Sequence, residues 1–162
     1  SDGNCCGRPT TLYAQGLSAD GLALSGSPVS LLQNDPTGWE GGVIEAPTML
    51  VHDGRHFLFY SGGAFASAAY GVGVATCESA YGPCRRLPTA QPLLASRDDA
   101  VSPLHGPGHQ ALFRIGSRTW MAYHAWEVDA EGRRGTRRVL HIDRIEWKTD
   151  AGPSTWRPPV RP

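Results

Sequence analysis

The feature that most constrains this chain is an internal repeat. The segment 46–60, APTMLVHDGRHFLFY, resembles the segment 109–123, HQALFRIGSRTWMAY. Each is a short apolar run, a polar turn with a glycine (Gly54, Gly116), and a second apolar run that is rich in aromatics and closes on a tyrosine. The two glycines stand 62 positions apart and the two tyrosines, Tyr60 and Tyr123, 63 apart. A polar loop and a third strand-like run follow each tyrosine: YGVGVAT at 70–76 and RVLHIDRIEW at 138–147. In the second of these, Val139, His141 and Asp143 alternate with Leu140, Ile142 and Arg144, the two-residue period of a β-strand. A unit of three or four antiparallel strands recurring at this spacing describes the blades of a β-propeller. Two similar hairpins in a sandwich would leave the same trace.

The segment 11–32, TLYAQGLSADGLALSGSPVSLL, reads as the outer strands of an earlier blade, turning at Ala19-Asp20-Gly21. At roughly 50–60 residues per blade, the chain holds about three blades. Three blades do not close a propeller, and an open arc would expose sheet faces and edges. The expectation is a piece of a larger ring that is completed by an N-terminal fragment. A self-associating half-propeller is the competing arrangement.

Composition agrees with an all-β chain. Twenty glycines and thirteen prolines punctuate short apolar runs. Fifteen basic residues balance fifteen acidic ones. A chain with no net charge has no footprint for nucleic acid. No apolar run reaches the roughly 18 residues that would span a membrane. Cys77 and Cys84 bracket CESAYGPC, a loop that Gly82 and Pro83 turn tightly enough to close as a disulfide. That predicts a secreted, extracellular protein; buried free thiols in a cytosolic one are the alternative. Cys5 and Cys6 are adjacent, and either a vicinal bridge or pairing elsewhere fits them.

Two positions stand out chemically. Glu45 lies in GGVIEAPTML at the head of a repeat, and Pro47 restricts Ala46, so its carboxylate should sit at the start of a strand. On an innermost strand it would be partly desolvated, which suits a proton donor; a surface glutamate at a strand edge is the plain alternative. His109 closes Gly-Pro-Gly-His at the equivalent place in the next repeat. Both should point at one axis, where His109 would hold a metal or a water, unless it is a turn residue. His105 lies four residues earlier, but Gly106, Pro107 and Gly108 forbid the helix that a zinc-binding histidine pair would need. Trp39, Tyr60, Phe65, Tyr70, Tyr123 and Trp126 would surround this axis. Such aromatics serve a core as well as they serve a sugar's apolar faces.

The ordered set WEGG-VIEAPTML, DGRHFLFYSGG, YGVGVATCESAYGPC, GPGHQALF, WMAYHAW and RRVLHIDRIEW resembles glycoside hydrolase family 43 over essentially the whole chain. The resemblance implies a five-bladed propeller of which this chain is the C-terminal part. It implies an inverting hydrolase acting on arabinan, arabinoxylan or xylan. Glu45 would be the general acid. His109 would contact a central water or calcium site. An arginine opening the last inner strand, Arg138 or else Arg137, would touch sugar and acid. The run Tyr60 to Gly63, with Ser61, would lie by the sugar, and of the aromatics read above Phe65 and Trp39 are assigned to substrate binding with it. The family's catalytic base and a second, pKa-tuning aspartate have no matching motif here, and the preceding segment would hold both. An exo-acting α-L-arabinofuranosidase is preferred, on the SADGL, WEGG and CESAYGPC segments. A β-xylosidase, and a non-catalytic carbohydrate-binding propeller fragment, are the alternatives.

Overall fold

A computed structural model describes residues 7–98, 103–129, 131–148 and 152–155. Among them are ten strands in three antiparallel sheets and no helix. Strands β1 (Thr11–Leu17) and β2 (Leu24–Gln33) pair as an isolated hairpin. Strands β3 (Ile44–His52), β4 (Arg55–Gly62), β5 (Gly71–Cys77) and β6 (Cys84–Arg86) form one four-stranded meander. Strands β7 (His105–Ile115), β8 (Arg118–Val128), β9 (Arg134–Lys148) and β10 (Gly152–Thr155) form a second. The repeat is therefore structural: β3–β4 and β7–β8 are equivalent hairpins, turning at Gly54 and Gly116. The arc comprises two complete blades and two strands of a third.

Two apolar seams hold the blades face to face. Successive side chains of a strand point to opposite faces, and β4 uses both. Phe57 and Phe59 turn towards the last blade and join Val72, Val74, Met121, Tyr123, Ala125 and Ile145. Leu58 and Tyr60 turn towards the first hairpin and join Leu12, Leu31, Leu32 and Ala75. That is why HFLFY reads as a continuous apolar run. Strand β8, by contrast, buries Thr119, Met121, Tyr123 and Ala125 and leaves Trp120, Ala122, His124 and Trp126 on its other face. In β9 the alternation falls as the sequence suggests: His141 stacks on Tyr123, and Asp143 accepts its hydroxyl at 2.7 Å. Leu140 and Ile142 project outward, 72% and 52% exposed.

Cys77 and Cys84 are cross-strand partners in the β5–β6 hairpin and are bridged as a disulfide. Cys5 and Cys6 lie outside the described residues.

Candidate active site at the inner strands

Strands β3 and β7 are the neighbouring inner strands of the two blades. Thr48 on β3 donates to the Gln110 carbonyl on β7 at 3.1 Å. Each strand opens with the same irregularity. The pairing of β3 with β4 breaks between Glu45 and Thr48, and that of β7 with β8 breaks between Gly108 and Ala111. Inside each break a non-glycine residue has left-handed backbone: Ala46 at φ 50° and His109 at φ 55°. Such bulges re-aim side chains, and they cluster at functional sites. A residue before a proline ordinarily prefers extended backbone. Glu45 does stand second in β3, but Ala46 is not extended, because the bulge and its cross-blade bonds override the local preference.

Glu45 is half-buried and its Oε1 accepts the Tyr70 hydroxyl at 2.7 Å. Tyr70 is 1% exposed. Burial first, and the bond to Glu45 second, push its phenol well above the usual range, so it stays a donor. The ring lies so close to Gly108 that a β-carbon there would come within 2.1 Å of it. Tyr70 also stacks on His124 at 6.2 Å, and His124 stacks on His109 at 5.7 Å. Desolvation, and then the Arg138 guanidinium, hold His124 below the ordinary histidine range. Its neutral ring can accept from Arg138, whose Nη1 points at it.

The two arginines occupy different surroundings. Arg137 is exposed and bonds Glu127 at 2.7 Å. Arg138 faces the cluster, with its guanidinium 5.6 Å from the Tyr70 ring, 4.6 Å from Trp126 and 5.5 Å from Phe65. Its Nη2 donates to the Phe65 carbonyl. Trp126 Nε1 bonds the same carbonyl, and Arg134 Nη1 bonds that of Ala66 at 2.8 Å. The loop after β4 is thereby pinned, with Phe65 59% exposed at its tip.

The structure brings Glu45, His109, Arg138 and Phe65 together around Tyr70 and His124, with Ser61 beside them. Tyr60 and Trp39 do not join them. Tyr60 lies on the opposite face of β4, is 1% exposed, and donates its hydroxyl to Glu40 at 2.6 Å. Trp39 stacks on Tyr60 and packs where Gly62 and Gly73 lack side chains. Both build the seam with the first hairpin, so the direct sugar contact expected of Tyr60 is not available to a side chain buried this way. The residues that sequence reasoning missed are His124 and Gln110. Tyr70 was noticed, but only as one aromatic of several. His124 had a usable signal, lying immediately after the repeat's closing tyrosine.

Among the described residues, no three His, Cys, Asp or Glu side chains gather as metal ligands. Calcium asks for six to eight oxygens, and a single imidazole does not begin such a cage, so the residues present do not fit a protein-built calcium site. The cluster named here contains one carboxylate. With its phenol donor, its guanidinium and its aromatic walls, it can give a proton to a bound polar group.

The sequence profile of Glycosyl hydrolases family 43 matches residues 2–153. Among solved structures, a thermostable family-43 glycoside hydrolase shares 29% identity with a TM-score of 0.78, over 95% of this chain and 49% of its own. An endo-1,4-beta-xylanase from Bacteroides thetaiotaomicron shares 24%, TM-score 0.77, over 91% of this chain and 50% of its own. An alpha-L-arabinofuranosidase from Lactobacillus brevis shares 22%, TM-score 0.71, over 91% and 47%. The chain spans about half the length of these relatives. Among curated proteins none matches it. The profile covers almost every residue of this propeller arc: the chain belongs to family 43 of the glycosyl hydrolases.

Proposed function

We propose that this chain supplies the acid half of an inverting glycosidase, with Glu45 protonating the departing sugar oxygen. The observation that carries this reading is the Tyr70 hydroxyl on Glu45 Oε1 at the start of the innermost strand. Tyr70 orients the carboxyl at the mouth of the inner strand. Inversion needs a second carboxylate about 6.5–9.5 Å away, with a water between the two. That base is assigned to blades outside these 162 residues, consistent with relatives twice as long. Arg138 holds the Phe65 loop and the His124 ring, and so shapes the wall against which the sugar rests. Phe65 offers its exposed ring to an apolar sugar face. His109 orders water on the axis. A calcium ion there would draw its oxygens from water and from the remaining blades, and no step is assigned to it.

The substrate class proposed is arabinan or arabinoxylan, cleaved from the end by an α-L-arabinofuranosidase. Release of xylose is the second reading, since one solved relative is named a xylan beta-1,4-xylosidase and another, of similar likeness, an alpha-L-arabinofuranosidase. The Cys77–Cys84 bridge favours a secreted protein.

In the completed propeller, Glu45→Gln should lower turnover of unactivated glycosides about 10²–10⁴-fold. It should spare aryl glycosides whose leaving group needs no proton. Full turnover of unactivated substrate by this variant would remove Glu45 from the role. Comparing arabinose with xylose release from aryl glycosides separates the two substrates.

A further inference from the structure

The two bulges are tied to each other by a buried polar chain that no catalytic role accounts for. The His109 backbone N–H donates to Ser61 Oγ at 2.7 Å. Ser61 Oγ in turn donates to Gln110 Oε1 at 2.8 Å. Gln110 Nε2 donates to the Ala46 carbonyl at 2.8 Å. Ser61 is fully buried and Gln110 is 4% exposed. The Ala46 carbonyl can only accept, so the Gln110 amide turns its nitrogen there and its oxygen towards the Ser61 hydroxyl. Both ends of the chain are the left-handed residues of neighbouring blades, and the Ala46 end directly follows Glu45.

We infer that Gln110 is a positioning residue for the acid: its amide, on one blade, sets the aim of Glu45 on the next and couples that aim to His109. This rests on the reading of Glu45 as proton donor. Left-handed backbone at Ala46 is unfavourable by itself. Without the amide, the bulge has one fewer restraint keeping it there, and relaxation would swing the carboxylate that Tyr70 holds. A misplacement near 1 Å costs about 100-fold in an oriented reaction.

The test separates aim from general stability through the leaving group. Gln110→Met keeps the side chain's length and removes both hydrogen bonds. In the completed propeller it should lower kcat/KM on unactivated glycosides about 10–100-fold and on a dinitrophenyl glycoside no more than about 3-fold. A parallel fall on both substrates, or no fall on either, overturns the inference. Should Gln110→Met not fold, Ser61→Ala tests the other end of the polar chain, by removing the hydroxyl that holds the amide oxygen and the His109 N–H. It should show the same selectivity at about 5–20-fold, and a parallel loss or none would again overturn the inference. Glu45→Gln is run beside them. If it keeps its activity on unactivated substrate, the acid assignment fails. If it shows the leaving-group-selective loss and Gln110→Met does not, the Gln110 inference alone fails.

Discussion

Gly108 and Glu45 occupy equivalent positions at the mouths of their two blades, and only one of them carries a side chain towards the site. The missing β-carbon makes room for the Tyr70 ring, which in turn holds the Glu45 carboxyl. Gly108→Ala would bring a methyl within 2.1 Å of that ring, so the ring must move. The expected result is a loss of about 2–3 kcal/mol in denaturant unfolding, the range of an overpacked core. Turnover of unactivated glycosides should fall more than that of activated ones. A variant with unchanged midpoint and unchanged selectivity would show that Tyr70 has slack here. This arrangement was half legible in the sequence. Glu45 and the Gly-Pro-Gly-His run could be placed at matching points of the repeat. The left-handed Ala46 could not be foreseen, because the residue before a proline locally prefers extended backbone. The bond that reaches Ala46 across the blades comes from Gln110, which is distant in sequence.

At the scale of elements, the seam between the first hairpin and the middle blade hides a charge. Glu40 is 1% exposed, and Arg86 on β6 meets it through Nε and Nη2, each at 2.7 Å. Tyr60 and the Asp35 backbone N–H fill its remaining acceptor sites at 2.6 and 2.8 Å. Glu40 is the buried member and Arg86 is 34% exposed, so removing the arginine strands a buried carboxylate. Arg86→Met alone should cost about 3–5 kcal/mol in urea unfolding. The double variant Glu40→Leu with Arg86→Met should recover most of that loss. If the single variant costs under about 1 kcal/mol, the pair is effectively solvated and the seam does not depend on it. The strands on either side of this seam were readable from their period-two patterns and glycine turns. The ion pair was not, since Glu40 sits in a polar, glycine-rich loop and meets a partner 46 residues away. The same non-local packing took Tyr60 and Trp39 from the expected sugar site into the seam. Local sequence tells which residues alternate along a strand, not which face meets the site.

For the whole molecule, the arc ends in two faces that a closed ring would cover. On β9, Leu140 and Ile142 are 72% and 52% exposed; on the first hairpin, Tyr13 and Val29 are 43% and 39% exposed. In a ring, the first of these faces meets the opening blade, and the first hairpin receives the inner strands of its own blade. Both partners would come from the half of the propeller that the solved relatives have and that these residues do not include. Fully burying a side chain the size of Leu140 or Ile142 contributes about 1.5–3 kcal/mol, and an unpaired sheet edge left open invites association of another kind. We therefore expect the chain, co-expressed with the upstream blades as a separate polypeptide, to purify with them as a one-to-one complex by size-exclusion chromatography. Leu140→Asp combined with Ile142→Asp should lower that association at least about 100-fold, because each carboxylate would be buried without a partner. The loss should fall on complex formation, since both side chains face away from the seam between the two complete blades. A wild-type chain that stays monomeric beside the upstream blades, and hydrolyses unactivated glycosides alone, would place the base within these residues and overturn the two-part enzyme.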